Sequence, residues 1–508
     1  MTAKKFFFRI VALGVLVTTF GGQPVEPVLA QAHGGGAGGP PGGGPPGGMP
    51  GGGMPGGGMA GGPPGLGASA FPQLPSQAME HFDQGRPDWA GRPDSIGRPD
   101  WAARPDRAGR PDWAGRPVEP GAAGIGRAAV ARSQGMSPAQ RERAQDLAAK
   151  FPADYELDRN GALAIRGEVL ATNLSDKALA AAQRAGFTIV RRTSLDGLGL
   201  SLVVLGHRDW ALDKMIDQLR RLAPDAAIEA DHIFFASGTK ATRAAPPNPA
   251  ARGPAPAAAK TTWRLGIIDT GAATAASGRP RINIVRRGFA SGGFVPSDHG
   301  TAVAEIAARF GPSEPSARTA GTLFIADIFG AGPRGGSAEQ MVRALAWMAQ
   351  QNVPVTNISM VGPYNEIVAS AISALGRRGF LVVAPVGNDG AAARPLFPAS
   401  LRGVVAVTAV DGRGAVLPEA SRVRKVDFAS RGIFSVPDMK RRTVEVRGTS
   451  FASPVVARRL AELLPSPDPK LAKTALRALA STAWKPKRGS ERSALGQGII
   501  GFTPPDSH

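Results

Sequence analysis

Arg447-Gly448-Thr449-Ser450-Phe451-Ala452-Ser453-Pro454 is the stretch on which the reading of this chain turns. It leads straight into the apolar run Val455 to Leu464, which reads as a buried helix. A serine at a strand-to-helix turn carries its hydroxyl at the positive end of the helix dipole, beside backbone N–H groups that no carbonyl of the helix can reach. Gly448 lets the backbone turn sharply there. A serine at a helix start is by default only a cap. An ordered run closed by a proline is far more specific than that default.

A nucleophilic hydroxyl needs a base. The chain has six histidines: His33, His81, His207, His232, His299 and His508. Two precede the folded regions, two fall in an upstream domain, and one is the C-terminal residue. His299, in Asp298-His299-Gly300-Thr301 at the head of the helical pattern Ala302 to Ala308, is therefore the one sensible imidazole for the second half. Further upstream, the short apolar strand Arg264 to Ile268 ends at Asp269-Thr270-Gly271. A carboxylate at the carboxyl end of a parallel strand stands where α/β folds place their ligands. Taken alone, Asp before Gly after a strand is more commonly a turn.

Together these landmarks resemble the subtilase family over about Trp263 to Phe502. The resemblance rests on Asp269-Thr270-Gly271, His299-Gly300-Thr301, Gly387-Asn388 and the run from Gly448 to Pro454, in that order. It implies a subtilisin-like α/β fold, a parallel sheet with helices on both faces, and a serine endopeptidase. It also implies a role for each position. Ser450 attacks the scissile carbonyl, His299 takes its proton and passes it to the leaving amine, and Asp269 holds the imidazole tautomer and stabilises the imidazolium. Asn388, after the apolar strand Phe380 to Val386, donates its amide to the developing oxyanion. Ser359, Met360, Val361 and Gly362 resemble the strand that pairs with extended substrate, and Met360 with Ala384-Pro385-Val386 suggests an apolar pocket for the side chain before the cut. The stretch from Gly271 to Ser297 is rich in Gly, Ala and Arg and lacks the family's acidic calcium loops. No metal or cofactor is expected.

Upstream, residues 137–235 carry globular texture. The segment Gly167 to Asn173 reads as a strand, and Ser175 caps a helix with Ala178, Leu179 and Ala182 on its apolar face, stopped by Gly186. Phe187 to Thr193 and Leu198 to Leu205 read as strands. Leu212, Met215, Ile216, Leu219 and Leu222 mark one helix face, and Ala227 to Phe234 a last strand. This β-α-β-β-α-β order is a ferredoxin-like signature. Its place before the motifs resembles the chaperone propeptide of subtilases. Residues 236–262 are mostly Ala and Pro with scattered basic residues, a solvated linker open to cutting.

The N-terminus supplies an address. Lys4, Lys5 and Arg9 precede the apolar run Ile10 to Phe20, and Ala30-Gln31-Ala32 offers a signal-peptidase pattern, so residues 1–32 read as a secretory signal and the protein as exported. An uncleaved anchor is the alternative. Residues 33–136 read as disordered: a Gly/Pro/Met/Ala tract gives way to a six-residue repeat, Gly85-Arg86-Pro87-Asp88-Trp89-Ala90, with Trp101 and Trp113 recurring before Pro117. The repeat reads as a spacer, or as a weak adhesin for cell-envelope polymers. The second of these supports the competing reading of the whole chain, a catalytically weak envelope-binding protein.

Cysteine is absent, which excludes disulfides, thiolate metal sites and a cysteine nucleophile. A net charge of +20 invites nucleic acid, but the basic residues are scattered and lack interleaved aromatics, so no specific nucleic-acid partner is expected. The expected partners are protein or peptide substrates and the chain's own propeptide domain, in a monomer.

Overall fold

The computed structural model describes residues 136–236, 239–243, 262–273, 282–309, 320–331, 335–423, 425–486 and 492–502. The segment read as a secretory signal and the Trp-bearing repeats lie outside these residues.

The upstream domain opens with helix α1 (Pro138–Lys150), whose capping box pairs the Ser137 side chain with Gln140. Strand β1 (Tyr155–Leu157) and the long β2 (Leu163–Thr172) follow. Next come α2 (Asp176–Arg184), β3 (Thr188–Leu195), β4 (Leu200–Gly206), α3 (Leu212–Leu222) and β5 (Ala227–Ala236). The strands order as β5-β2-β4-β3, all antiparallel, with β1 at the side of β2. That is the ferredoxin-like arrangement the sequence order predicts. Ser175 caps α2 by accepting from Ala178 N at 3.2 Å, and Ala178, Leu179 and Ala182 are the buried residues of that helix. Leu212, Met215, Ile216 and Leu219 bury the face of α3. Helix α1 and strand β1 are additions to the sequence reading. Ala144 is the one buried residue of α1, so its pattern offers no clear apolar stripe.

Strand β6 (Thr239–Arg243) falls within the stretch whose composition reads as linker. The second domain then continues with β7 (Trp263–Asp269), β8 (Ile282–Gly288), α4 (Asp298–Arg309), β9 (Gly321–Asp327), β10 (Gly336–Ser337) and α5 (Ala338–Gln350). It proceeds through β11 (Val355–Ile358), β12 (Met360–Val361), α6 (Glu366–Arg377), β13 (Leu381–Pro385) and β14 (Val404–Val410). It closes with β15 (Phe428–Arg431), β16 (Ile433–Pro437), β17 (Thr443–Arg447), α7 (Thr449–Leu463), α8 (Pro469–Thr482) and β18 (Ile499–Ile500).

The central sheet is eight-stranded, in the order β18-β15-β14-β13-β11-β7-β9-β8, and every pairing in it is parallel. Alternation along the strands feeds two cores. Leu265, Leu323, Val383 and Val405 join Val303 and Ile306 of α4 and Val456 and Leu460 of α7 on one face. Phe324, Ala326, Val382 and Val404 join Met341, Leu345 and Trp347 of α5 and Ile372 of α6 on the other. A strand buried on both sides has no polar face to alternate, hence sequences such as Leu381-Val382-Val383-Ala384.

Among the described residues the strand-helix alternation expected to the end is not strict: β7–β8, β9–β10 and β11–β12 are successive strands, β13 to β17 are five in succession, and β16 and β17 form an antiparallel hairpin. Its turn is held by Asp438, whose Oδ1 accepts from Arg442 N at 2.8 Å, with Arg441 in the left-handed region at φ +62°. The hairpin delivers the chain directly to Gly448.

The upstream domain shares a core with α5 and α6: Leu170, Leu195, Leu202, Val204 and Phe234 belong to the same buried cluster as Met341 and Ile372. Polar groups finish the junction. Asp231 Oδ1 accepts from Glu339 N in the first turn of α5 at 2.8 Å. Asn365, the N-cap of α6, donates through Nδ2 to Ala230 O at 3.0 Å. Arg191 reaches Glu168 in its own domain and Glu339 of α5, the latter at 2.7 Å. Burial and the neighbouring negative charge of Glu339 push the Asp231 carboxyl up to about 7.

Candidate active site

Asp269 ends β7 at the carboxyl edge of the sheet and is fully buried. Its Oδ1 accepts from Thr270 N at 2.6 Å and from the Thr270 hydroxyl at 3.0 Å. The same hydroxyl accepts from Gly300 N at 2.9 Å and shares a hydrogen bond with Ser297 Oγ. That short network ties the end of β7 to the start of α4. Gly300 is required there, because a Cβ would stand 2.2 Å from Thr270 O and 2.6 Å from Gly271 O. The close approach places His299 Nδ1 2.8 Å from Asp269 Oδ1. A carboxylate in this position fixes Nδ1 as the protonated nitrogen and leaves Nε2 to act as base.

Ser450 stands in the first turn of α7. Gly448 precedes it at φ +137°, a conformation that a side chain resists. The Ser450 residue is buried, and its hydroxyl donates to Ser359 O at 3.4 Å. Phe451, the next residue, packs its ring 5.3 Å from the His299 ring, which joins the first turn of α7 to the start of α4.

Asn388 follows β13 in a loop held by Ser421, which donates from its backbone to Gly387 O at 3.0 Å. Asn388 Oδ1 accepts from Thr449 N at 2.9 Å and from Thr449 Oγ1 at 3.2 Å. With its oxygen committed as acceptor to the residue before Ser450, the other branch of the amide is a donor at the helix N-terminus, where negative charge is stabilised.

Ser359, Met360, Val361 and Gly362 lie beside this group. Ser359 Oγ accepts from Asn357 Nδ2 at 2.7 Å and donates to Ser450 O at 3.1 Å, which locks β12 against the first turn of α7. The outer edge of β12 is occupied by the chain itself: Met360 is in antiparallel register with Ala236 and Val361 with Phe235. On the far side of β5, Ser337 is in register with Ile233 and Gly336 with Phe234. The end of the upstream domain is thus a strand between two strands of the second domain. Phe234 is fully buried, and a Cβ on Gly362 would stand 2.5 Å from its ring.

Of the candidate residues read from sequence, Asp269 bonds His299, Asn388 bonds the residue before Ser450, and Ser359 bonds Ser450. Sequence reasoning missed Gly336-Ser337, the second rail, and the Thr270–Ser297 hydroxyl pair. The first had a visible signal, since Ser337 with Gln340 makes a capping box for α5. Among the described residues the cluster Glu168, Asp231 and Glu339 also has metal-like spacing, but Arg191 already supplies a cation to Glu168 and Glu339.

Comparison with known proteins bears on the family and the fold. Residues 296–498 match the subtilase family. Fervidolysin from Fervidobacterium pennivorans, a keratinolytic enzyme related to subtilisin, superposes with a TM-score of 0.55 at 18% identity over 68% of this chain. The match spans 62% of fervidolysin's length. The epidermin leader peptide processing serine protease of Staphylococcus aureus is similar at 14% identity, covering 65% of this chain and 96% of that one, with a TM-score of 0.47. No curated protein sequence matches.

Proposed function

The chain belongs to the subtilase family, and on that premise we propose that it is an exported serine endopeptidase made as a zymogen that cuts itself. Ser450 Oγ adds to the scissile carbonyl while His299 Nε2 takes its proton and returns it to the departing amine. Water then hydrolyses the acyl-serine, with His299 again as base. Asp269 steadies the imidazolium through the 2.8 Å bond to Nδ1. The Asn388 amide and the helix N-terminus stabilise the oxyanion. Extended substrate adds to β12 through main-chain hydrogen bonds, a mode that carries little sequence preference.

The single observation that carries the zymogen reading is the course of the chain past Ser450. It leaves the register of Met360 at Ala236 and enters the register of Arg447 at Thr239. Arg447 lies just before the turn into Ser450. The self-cut is therefore assigned to the bonds between Ala236 and Thr239, inside the wider stretch that composition marks as linker. The upstream domain is the leader that folds against α5 and α6 and fills the acyl side of the site. Export rests on the signal-like N-terminus.

A serine-directed fluorophosphonate tests the activity. It should label the purified protein but not Ser450→Ala, and Ser450→Ala should accumulate as full-length precursor. Labelling that persists in Ser450→Ala, or none in the wild type, refutes the proposal. N-terminal sequencing of the exported protein reports the cut and the removal of the signal together.

A further inference from the structure

Cutting between Ala236 and Thr239 separates the leader from the peptidase, but it leaves the site occupied on its other side. Strand β17 has two edges. One pairs with β16, and the other pairs with β6, from Val444 opposite Arg243 to Arg447 opposite Thr239 with a one-residue shift of register between Glu445 and Arg447. The sheet order β16-β17-β6 makes β6 the edge strand. Because β17 runs into Ser450, its outer edge is where residues following a scissile bond must lie when they leave the catalytic serine in extended form. The chain's own residues 239–243 are its first occupant.

Hydrolysis of one bond does not remove them. They remain joined to β7 through residues 244–261, a sequence made mostly of Ala and Pro. A short tether of this kind holds a strand near its docking edge at an effective concentration on the order of millimolar. A five-residue strand is weak by itself, yet at that concentration it competes with protein substrates present at micromolar levels.

We propose that residues 239–243 stay on β17 after the first cut and cover the site for residues beyond the scissile bond, so that maturation takes a second cut within 244–261. Each cut consumes one water and frees one new amine and one carboxylate, so no further reactant is needed. The inference rests on the peptidase reading above.

The test uses the full-length precursor. Three quantities are followed as it matures: its N-terminal sequence, turnover of a peptide p-nitroanilide, and turnover of an internally quenched peptide with several residues on both sides of the bond. The p-nitroanilide has no residues beyond the bond and does not need the β17 edge. Its hydrolysis should start with the first N-terminus, at 237–239. Quenched-peptide hydrolysis should lag, about tenfold or more lower relative to the p-nitroanilide, until an N-terminus within 244–262 replaces the first. The double variant Ala241→Pro with Thr242→Pro removes consecutive strand N–H groups, one of which must face β17. It should abolish the lag. An N-terminus that settles at 237–239 with both substrates turned over together overturns the inference alone, as does an unchanged lag in the proline variant. Absence of both p-nitroanilide turnover and fluorophosphonate labelling overturns the peptidase reading, and this inference with it.

Discussion

The junction between leader and peptidase should loosen as the pH rises from about 4 to about 7, and Asp231 is the residue to test. Its carboxyl is buried against the first turn of α5, and its ordinary value of 3.8 is raised to about 7 by burial and by the charge of Glu339. The charged groups facing it are Glu168 on β2, Arg191 on β3, Glu339 and Arg343 on α5, and its neighbour His232. When the leader separates, water returns to the carboxylate and Glu339 departs, so the group relaxes toward its ordinary value. A group raised in the complex binds its proton more tightly there. Its contribution to association is therefore complete below pH 4 and is lost by pH 7, at up to tenfold per pH unit. The full span is about a thousandfold, or roughly 4 kcal/mol at about 1.4 kcal/mol per unit. Glu229, raised chiefly by burial, pulls in the same direction. His232 does not add to this: burial lowers it, and the carboxylates that raise it, Asp158, Glu229 and Asp231, stay beside it in the leader. Asp231→Asn isolates the one proton because the amide oxygen can still accept from Glu339 N. A Ser450→Ala protein assembled from residues 1–237 and 238–508 gives a dissociation constant free of self-cutting. Titrated calorimetrically from pH 4 to 8, the parent should lose affinity more steeply than Asp231→Asn by about tenfold per unit below pH 7. Equal slopes in the two proteins, or an affinity that rises with pH, would refute the reasoning.

Other outcomes follow from single contacts. Asn388→Ala should lower kcat on a p-nitroanilide by about a hundred- to a thousandfold with KM nearly unchanged, because its amide acts only once the oxyanion forms. Gly362→Ala brings a methyl 2.5 Å from the Phe234 ring, so self-cutting should slow, and Phe234→Ala in the same chain should restore much of the rate. Buried Arg458 pairs with Glu462 at 2.7 Å and stacks over the Trp263 ring at 3.8 Å. Arg458→Met should destabilise the fold by about 3–5 kcal/mol in urea unfolding, and adding Glu462→Leu should recover part of that loss.

What the sequence made legible was whatever chemistry or geometry restricts to few residue types. Ser450 needs a glycine before it and a helix after it; His299 needs Gly300, because Thr270 O is too close for any side chain. Such positions announce themselves in a single chain. The caps at Ser175 and Ser337 are of the same kind. The elements the sequence hid are held by main-chain pairing or by few side chains. Strand β10 is two residues long, β6 sits within a stretch rich in Ala and Pro, and α1 buries only Ala144. A backbone ladder accepts almost any residue except proline at a bonded position, so composition cannot mark it.

On the function proposed above, that blind spot is also the mechanism. A peptidase that seats substrate on β12 through backbone N–H and C=O groups recognises extension more than identity. The chain's own Phe235-Ala236 meets the requirement as well as a foreign peptide does, and being covalently attached it arrives first. What distinguishes the leader from a substrate is the rest of its contact. Asp231 caps α5, Asn365 on α6 holds Ala230 O, and the domain's apolar side chains continue the core around Met341 and Ile372. Those contacts survive the cut, because none of them crosses the bond that is broken. On the proposed zymogen reading, the leader passes from substrate to inhibitor by the loss of one peptide bond, and its release comes from outside the catalytic geometry. The groups best placed to decide that release are the carboxylates at the junction, remote from Ser450.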